Sequence, residues 1–533
     1  MKFEEFRKSI ETRNDIKLNK LQVIKFYIFW ISVIIIIVNL LPGYAWIWKA
    51  HGIIASIVAI GFWRYSWYGL NLTQYVLYKH KKYPFLKKTT FKNPKFPKRV
   101  FFLIPSYKED YKISRLTFKY LIQESYKIPS QVYFYISVAT KEEVEIIKRF
   151  IAMFDTQKKT KAIFLYQSQG KRVALAHGLR AIAREFYKPT SWHIDAKNDV
   201  IILMDGDSVV GKNSLMKLLP FFTKFPKIGA VTTDEFVYYY GKGTKYLSMW
   251  YSMKFVKRHI MMCSHSMHNK VLTLTGRFSA FRAELLLKEE FINHVANDYI
   301  QHWLFGKFRF LMGDDKSTWF HLLKDGWNML YIPDVLVFAI ENRSGPFFKV
   351  TSSLMFRWYG NMLRNNTRAL KLGPKKIGSF FIWMAILDQR ISMWTSLFGP
   401  MAATLLSIFY TPFFWMFYIA WAIIIRLIQF IPLIKEKFSP KTLHMLIVFY
   451  DQWIGSCIKI YASFNLAKQK WSKGKTTTKI ELSIKSFQKT RKYMPFILLS
   501  IAIIYYIEFT GIYTGVFHLG FIDKFFKFIH SLF

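Results

Sequence analysis

The 533-residue sequence is short of cysteine and of acidic residues. Its two cysteines, Cys263 and Cys457, cannot build a disulfide framework, so any globular part is expected to face a reducing compartment. Only 33 Asp and Glu stand against 77 Lys and Arg, a formal net charge of +44. Hydrophobic residues make up 52% of the chain, which excludes a disordered protein. The basic excess leaves three classes open: a nucleic-acid binder, a membrane protein with charged inner loops, and a protein for anionic substrates.

Two segments near the N-terminus lack almost all formal charge. Phe26 to Trp48 carries none, and Gly52 to Tyr78 is interrupted only by Arg64. Each exceeds the roughly 20 apolar residues that cross a bilayer, and no small-residue cleavage site follows, so we expect an uncleaved transmembrane hairpin. The next loop, Lys79 to Arg99, is rich in Lys and Arg and contains no acid. By the positive-inside rule this loop lies in the cytoplasm.

The C-terminal part also has the character of a membrane domain. Ile391 to Ile425 carries no formal charge and is too long for one span, which predicts two spans with a turn near Tyr410 to Pro412. His444 to Phe464 is apolar but contains acidic, amide and basic side chains, which favours an interfacial or re-entrant helix. Tyr493 to Tyr513 is the predicted fifth span.

These segments divide the chain into nine predicted parts. In order they are a cytoplasmic N-terminus (1–22), a transmembrane hairpin (23–78), a basic linker (79–99), an α/β domain (100–343), interfacial helices (344–390), two spans (391–434), an interfacial and basic segment on the cytoplasmic face (435–492), a last span (493–513) and a tail (514–533).

Short apolar strands alternate with charged helical stretches after Val100, which predicts a mainly parallel α/β sheet. The strongest local signal is VIILMDGDSVV, where a strand ends in Asp205-Gly206-Asp207. Residues i and i+2 of an extended segment point the same way, so Asp205 and Asp207 can share a divalent cation, Mg²⁺ or Mn²⁺. Such a cation would neutralise a departing nucleotide diphosphate.

Further polar segments surround this pair in sequence order. FFLIPSYKED places Glu109 and Asp110 at the edge of the sheet where α/β proteins bind nucleotides. GKRVALAHGLR offers the Lys171-Arg172 pair to a diphosphate at a helix start. A second acidic turn, Asp314-Asp315, implies a division of labour between metal ligand and general base.

This order resembles the processive, inverting GT-A-fold glycosyltransferases that make cellulose, hyaluronan and chitin. The resemblance implies a GT-A domain inserted in an α-helical transmembrane domain, with a GDP-sugar donor. It further implies metal and nucleotide binding by Asp205 and Asp207, and catalysis by Asp315 with Asp314 beside it. Arg357 and Trp358 of FRWYGN take the place of the family's RW pair, which holds the diphosphate and the acceptor sugar.

Two departures from that family favour a narrower one. Leu354 stands where the family has the Gln of QxxRW, and Ser137 to Thr140 lacks the usual acid for the nucleoside. The segments TLTGRFSAFRAE, GDDKSTWF and DQRISMWTSLFG are similar to those of the bacterial mannuronan synthases of alginate production. The similarity implies polymerisation of GDP-mannuronate into β-1,4-linked polymannuronate, with export of the growing polyuronate across the bacterial inner membrane.

The same resemblance implies partners and substrate contacts. Expected partners are a membrane subunit with a PilZ domain that senses cyclic di-GMP, periplasmic export and modification proteins, and the lipid bilayer. Thr275, Gly276 and Arg277 of TLTGRF, with Lys316 of GDDKS, are expected along the sugar. A buried uronate carboxylate needs a partner, and the bidentate guanidinium favours Arg277 over Lys316.

Three alternatives remain open. One is a related membrane synthase that uses a different nucleotide sugar. Another is a transporter or scaffold that only binds nucleotide, which the second acidic turn disfavours. A nucleic-acid binder would carry its basic residues on one face among exposed aromatics, whereas here they flank membrane spans, so no nucleic-acid partner is expected.

Overall fold

The computed structural model of the chain describes residues 3–41, 51–107, 109–167, 170–186, 197–239, 245–303, 305–310, 313–341, 343, 345–469 and 487–517, without the side chains of residues 51–59, 314 and 487–492. The strands are β1 Arg99–Pro105, β2 Gln131–Val138, β3 Thr160–Tyr166, β4 Val200–Leu203, β5 Ser208–Val210, β6 Ile228–Tyr239, β7 Ser279–Arg282, β8 Tyr299–His302, β9 Gly306–Arg309 and β10 Asn328–Glu341.

The helices before the second acidic turn are α1 Phe3–Ser9, α2 Lys20–Leu40, α3 His51–Leu77, α4 Tyr83–Phe91, α5 Tyr111–Ser125, α6 Lys141–Phe154, α7 Lys171–Phe186, α8 Ser214–Leu218, α9 Pro220–Lys224, α10 Lys245–Ser266, α11 Ala283–Leu286 and α12 Glu289–Ala296. From that turn onward they are α13 Asp314–Lys324, α14 Phe347–Lys371, α15 Gly373–Ile377, α16 Phe380–Phe409, α17 Phe413–Lys435, α18 Leu443–Ser463 and α19 Phe487–Tyr513.

The centre of the α/β domain is a sheet in the order β3-β2-β1-β4-β7-β6-β10-β5. The predicted strands VFFLIP, VYFYISV and VIILMD form β1, β2 and β4, and the first two pair in parallel. Four of the seven strand pairings are parallel, as a mainly parallel sheet requires, but β7 lies antiparallel to both β4 and β6, and β5 is antiparallel to β10, so the sheet is mixed. A mixed sheet of this kind, covered by helices, is the GT-A-like arrangement.

Close packing of α7 on β1 fixes the start of α7 at the carboxyl edge of the sheet. A Cβ atom at Gly178 would lie 2.1 Å from Cδ1 of Leu103, so only glycine allows this approach. Leu103 itself is fully buried in the centre of β1. The helix therefore presents its first residues, Lys171 and Arg172, at the strand ends where β1 and β4 finish.

Among the described residues, four helical segments are long and apolar enough to cross a membrane: Lys20–Leu40, Phe380–Phe409, Phe413–Lys435 and Tyr493–Tyr513. The chain is accordingly a multi-pass membrane protein. The turn expected near Tyr410 to Pro412 separates α16 from α17. The predicted second span corresponds to α3, of which the first nine side chains are not described, and α18 is not among the four.

The helix α16 begins at Phe380, well before the charge-free run that we used to predict the span. Asp388, Gln389 and Arg390 come directly before that run, and each of these side chains has a partner inside the protein. Asp388 pairs with Arg64 at 2.7 Å, Gln389 accepts from Asn366, and Arg390 donates to Thr367. Satisfied charges do not end a helix, which explains the earlier start.

Candidate active site

The Asp205-Gly206-Asp207 turn follows β4 at the centre of the sheet edge. Oδ1 of Asp205 lies 2.6 Å from Nζ of Lys171, at the start of α7. A Cβ atom at Gly206 would lie 3.3 Å from the Pro105 carbonyl oxygen, so the turn packs closely against the end of β1. The acidic turn, the first strand end and the start of α7 thus converge.

The loop before β7 closes over the same point. A Cβ atom at Gly276 would lie 2.7 Å from Nζ of Lys171 and 3.5 Å from Oδ2 of Asp205, so glycine is what lets the loop approach this ion pair. The neighbouring Thr275 is buried, and its hydroxyl donates to the Phe278 carbonyl at 3.5 Å. Thr275 thus shapes the loop, and Gly276 leaves the space above Asp205 open.

The second acidic turn begins α13. Gly313, with φ +86°, caps this helix, and a Cβ atom there would lie 3.1 Å from Cγ of Asn361 on α14. Asp315 is the second residue of α13 and lies within electrostatic range of Arg364, also on α14. The Asp314 side chain lies outside the described residues. The turn is therefore packed against the helix that carries the FRW segment.

Arg172 connects the two acidic turns. Its guanidinium is buried, donates to Oγ of Ser317 at 3.1 and 3.0 Å, and also donates to the Val295 carbonyl. Lys171 pairs with Asp205 of the first acidic turn, and Arg172 donates to Ser317 of α13, which begins at the second acidic turn. Two consecutive side chains therefore connect the two turns. The sequence suggested the Lys171-Arg172 pair for diphosphate oxygens, whereas the guanidinium of Arg172 is engaged by Ser317 and Val295.

The buried carboxylate of Asp298 contacts both Ser317 and Arg172. It accepts from Ser317 at 2.6 Å and from Arg368 of α14 at 2.8 and 3.0 Å, and it lies 3.5 Å from Arg172. Asp298 is only 2% exposed. It thus ties α7, α13 and α14 to the segment before β8.

A role for Asp298 was not predicted from the sequence, although the spacing of polar residues on α14 includes its partner Arg368. Arg357, Asn361, Arg364 and Arg368 recur at spacings of four, three and four, which places them on one face of α14. That face is the one that meets the second acidic turn.

Trp358 stacks on Trp250 of α10, with ring centroids 5.4 Å apart and planes within 3°. Beside it, the pKa of Arg357 is lowered by burial and by the nearby Arg343 and Arg277. The position of the missing QxxRW glutamine is taken by Leu354, which is buried. An aromatic pair and a cluster of guanidinium groups therefore lie beside the middle of α14.

Arg277 and Lys316, expected along the sugar, both have protein partners. Arg277 lies 3.2 Å from Glu235 and 3.3 Å from Glu341. Burial opposes its charge, but these two carboxylates outweigh burial and raise the pKa of Arg277 above its ordinary value. Nζ of Lys316 donates to the Leu272 carbonyl, and burial lowers the pKa of Lys316 to about 8.

Asp110 caps a helix and forms no part of this cluster. Its carboxylate accepts from the backbone N–H groups of Lys112 and Ile113 at 2.8 and 3.3 Å, which makes it the N-cap of α5. Glu109 precedes it in the same turn after β1.

The described residues contain no group of three or more His, Cys, Asp or Glu side chains that could hold a metal ion. Mg²⁺ is commonly held by one or two carboxylates together with substrate phosphates and water. Two carboxylates in one turn, with Lys171 as an internal counter-ion on Asp205, therefore fit a cation that enters with a diphosphate substrate.

The chain resembles known glycosyltransferases over most of its length. The profile of a glycosyltransferase family, "Glycosyltransferase like family 2", matches residues 97–361. "Glycosyltransferase alg8" of Pseudomonas syringae pv. tomato is 33% identical over 466 residues, covering 87% of this chain and 92% of the relative. The protein of the same description from Azotobacter vinelandii is 32% identical over the same coverage.

Two solved structures are more distantly similar. A mannosyltransferase from Pyrobaculum calidifontis in complex with GDP-Man and Mn²⁺ is 14% identical, covers 76% of this chain and 98% of its own, and has a TM-score of 0.42. GalNAc-T7 with UDP, GalNAc and Mn²⁺ is 14% identical, covers 54% of this chain and 50% of its own, and has a TM-score of 0.32.

Proposed function

The chain belongs to the Alg8-like glycosyltransferases of family 2, and we propose that it polymerises GDP-mannuronate into β-1,4-linked polymannuronate and exports the polymer across the inner membrane. The observation that carries the catalytic part is the pair Lys171-Arg172. One of these residues holds Asp205 of the first acidic turn and the other holds α13, which carries Asp315. Donor and base groups on two separate loops are thereby held together.

Asp315 is the proposed general base. It takes the proton of the 4-hydroxyl of the acceptor sugar as that oxygen attacks the anomeric carbon of the donor. A C1–O4 bond forms, the bond from C1 to the diphosphate oxygen breaks, and GDP leaves from the opposite face. A single displacement of this kind inverts the anomeric centre and gives the β linkage.

The remaining proposed roles concern binding. Asp205 and Asp207 would hold a divalent cation, Mg²⁺ or Mn²⁺, which supplies positive charge against the departing diphosphate. Lys171 and Arg357 add their own charge there, and the Glu109-Asp110 turn borders the nucleotide. Trp358, backed by Trp250, offers a flat apolar face to the acceptor sugar.

The charge around Arg277 supports an acidic donor. The guanidinium groups of this cluster belong to Arg258, Arg277, Arg343 and Arg357, and the facing carboxylates to Glu235, Glu341 and Asp207. Among the described side chains the cluster thus has one positive charge in excess. A buried uronate carboxylate would be paired there rather than left alone at a cost of several kcal/mol.

Donor competition tests this proposal. In membranes containing the full chain, unlabelled GDP-mannuronate is expected to suppress transfer from labelled donor at lower concentration than GDP-mannose or UDP-sugars. Arg277→Gln should reduce that preference by about tenfold or more, since a charge-assisted pair contributes roughly 1.5–3 kcal/mol. Arg184→Gln, on the exposed side of α7, is the matched control. Stronger competition by GDP-mannose or by a UDP-sugar would instead indicate the related synthase of another polysaccharide.

We further place the catalytic domain in the cytoplasm, because the basic segment 79–99 lies on its side of the membrane. Cyclic di-GMP sensing is assigned to a separate PilZ subunit. Arg364 and Arg368 match the RxxxR pattern, but both are engaged internally, Arg364 with the Leu466 carbonyl and Arg368 with Asp298. Periplasmic export and modification proteins would take the polymer onward.

A further inference from the structure

A chain of polar contacts leads from the tryptophan pair toward the membrane helices. Nε1 of Trp250, which stacks on Trp358, lies 3.3 Å from Oδ1 of Asp451 on α18. Nζ of Lys254 lies 2.5 Å from the same carboxylate oxygen and 5.9 Å from the ring centre of Tyr359. The acceptor side of the site is therefore in contact with α18, which sits beside the spanning helices.

Tyr359 carries the contacts one step further. Nζ of Lys459 lies 5.8 Å from the ring centre of Tyr359, and it donates to Oγ of Ser392 on α16 at 3.1 Å. Lys459 also lies within electrostatic range of Asp388 and Arg64, which pair with each other. The Arg64 side chain is directed into the protein, because it pairs with Asp388 on the neighbouring helix α16.

Arg426 of α17 continues the series. Its guanidinium donates to Gln429 on its own helix and to Gln452 of α18. Nε2 of Gln452 in turn donates to the Ser396 carbonyl of α16 at 3.2 Å. Arg426, half-buried among apolar helices, thus has neutral amides as its hydrogen-bond partners within the described part of the chain.

We call the five basic residues of this series the cation path: Lys254, Lys459, Arg64, Arg390 and Arg426. Against them stand two carboxylates, Asp388 and Asp451, each already paired with one member. Within the described residues, three members of the cation path, Lys459, Arg390 and Arg426, therefore form no ion pair with a carboxylate. Buried cations in a membrane domain are costly, and they mark routes for charged substrates.

We propose that the cation path receives the newly made polymer and requires it to be a polyanion. This inference rests on the proposed function and deepens it. Each uronate unit brings one carboxylate, which would pair with a basic side chain as the chain advances from Trp358 past Tyr359 toward α16 and α17. A neutral polysaccharide would leave the same cations unpaired in a medium of low dielectric constant. Charge selection for the exported chain thus resides in the membrane part, apart from the donor site.

Inverted membrane vesicles containing the full chain test the proposal. GDP-mannuronate is added outside, and two quantities are measured: polymer length, and the fraction protected from added alginate lyase. Lys459→Met and Arg426→Met are expected to shorten the polymer and to lower the protected fraction, each by roughly threefold or more. Lys459→Arg, which keeps the charge, should recover most of both quantities. Lys435→Met, at the last turn of α17 and outside the cation path, should leave both at the wild-type level.

Variants are compared at equal amounts of protein in the membrane, and Arg390→Met replaces any variant that does not accumulate. Wild-type length and protection in the Lys459→Met/Arg426→Met double variant would overturn the cation path. Loss of function in Lys459→Arg as severe as in Lys459→Met would also do so, since shape and not charge would then matter. If wild-type vesicles use no GDP-mannuronate at all, the proposed function itself fails, and this result is distinct from both.

Discussion

At the scale of single residues, the account depends on which carboxylate has which task. Asp205 has an ammonium partner at 2.6 Å, whereas Asp315 lies in the first turn of α13, facing Arg364. Asp205 shares its turn with Asp207, which suits metal and diphosphate binding, and we assign Asp315, on the other turn, to the acceptor hydroxyl. Two environments for two carboxylates are what separate acid–base roles in one site.

Asp315→Asn separates these roles. The amide cannot take the proton of the acceptor hydroxyl, so we expect polymer formation to fall by about 10²–10⁴-fold while the affinity for the donor changes little. Polymer formation is measured as incorporation of labelled sugar, and affinity by titration of the donor analogue GDP. Asp325→Asn, at the exposed end of the same helix, is the control. Full activity of Asp315→Asn would remove Asp315 from the mechanism.

His294 should give the protein an acid-sensitive step. Burial lowers the pKa of His294 to about 4 and outweighs the opposing effect of the neighbouring Asp298. Between pH 6.5 and 4 the unfolded chain binds a proton there and the folded chain does not, so stability falls as the pH drops through this range. We expect the apparent Tm in detergent to drop less in His294→Gln than in wild type, by roughly 3 °C. Identical pH profiles would contradict the buried neutral state.

At the scale of helices and strands, the sequence predicted the elements better than their contacts. Apolar runs and terminal polar turns located β1, β2 and β4 because those signals are local. The pairing of Arg64 with Asp388 joins residues that are far apart in the chain, so charge alone suggested a break at Asp388 where α16 continues. The tie between α7, α13 and α14 was missed for the same reason, since Asp298 belongs to no local pattern.

Asp298 is expected to act as a positioning residue for these three helices. Asp298→Ala leaves the buried guanidinium groups of Arg172 and Arg368 without their carboxylate, so we expect a loss of about 3–5 kcal/mol in stability. Asp298→Asn can still accept from Ser317, so it should fold and lose about tenfold in kcat with little change in donor KM. Thermal unfolding and steady-state kinetics check both variants, with Glu290→Gln, an exposed side chain of α12, as control. Equal loss of kcat in the control would deny Asp298 this role.

At the scale of the whole molecule, the net charge of +44 serves separate purposes. Part of it stands in the basic loop Lys79 to Arg99, where it orients the chain in the membrane. Another part surrounds Arg277, beside the proposed donor site, and a third part forms the cation path behind Trp358. A protein that binds an acidic donor and passes an acidic polymer needs positive charge at both places.

The product made from GDP-mannuronate tests the central claim most directly. Membranes containing the full chain are incubated with this donor and Mg²⁺ or Mn²⁺, and the polymer is then treated with a mannuronate-specific alginate lyase. The account predicts a long polymer that the lyase degrades completely, and no polymer when a chelator removes the cation. A polymer that resists the lyase, or polymer formed only from another nucleotide sugar, would contradict it.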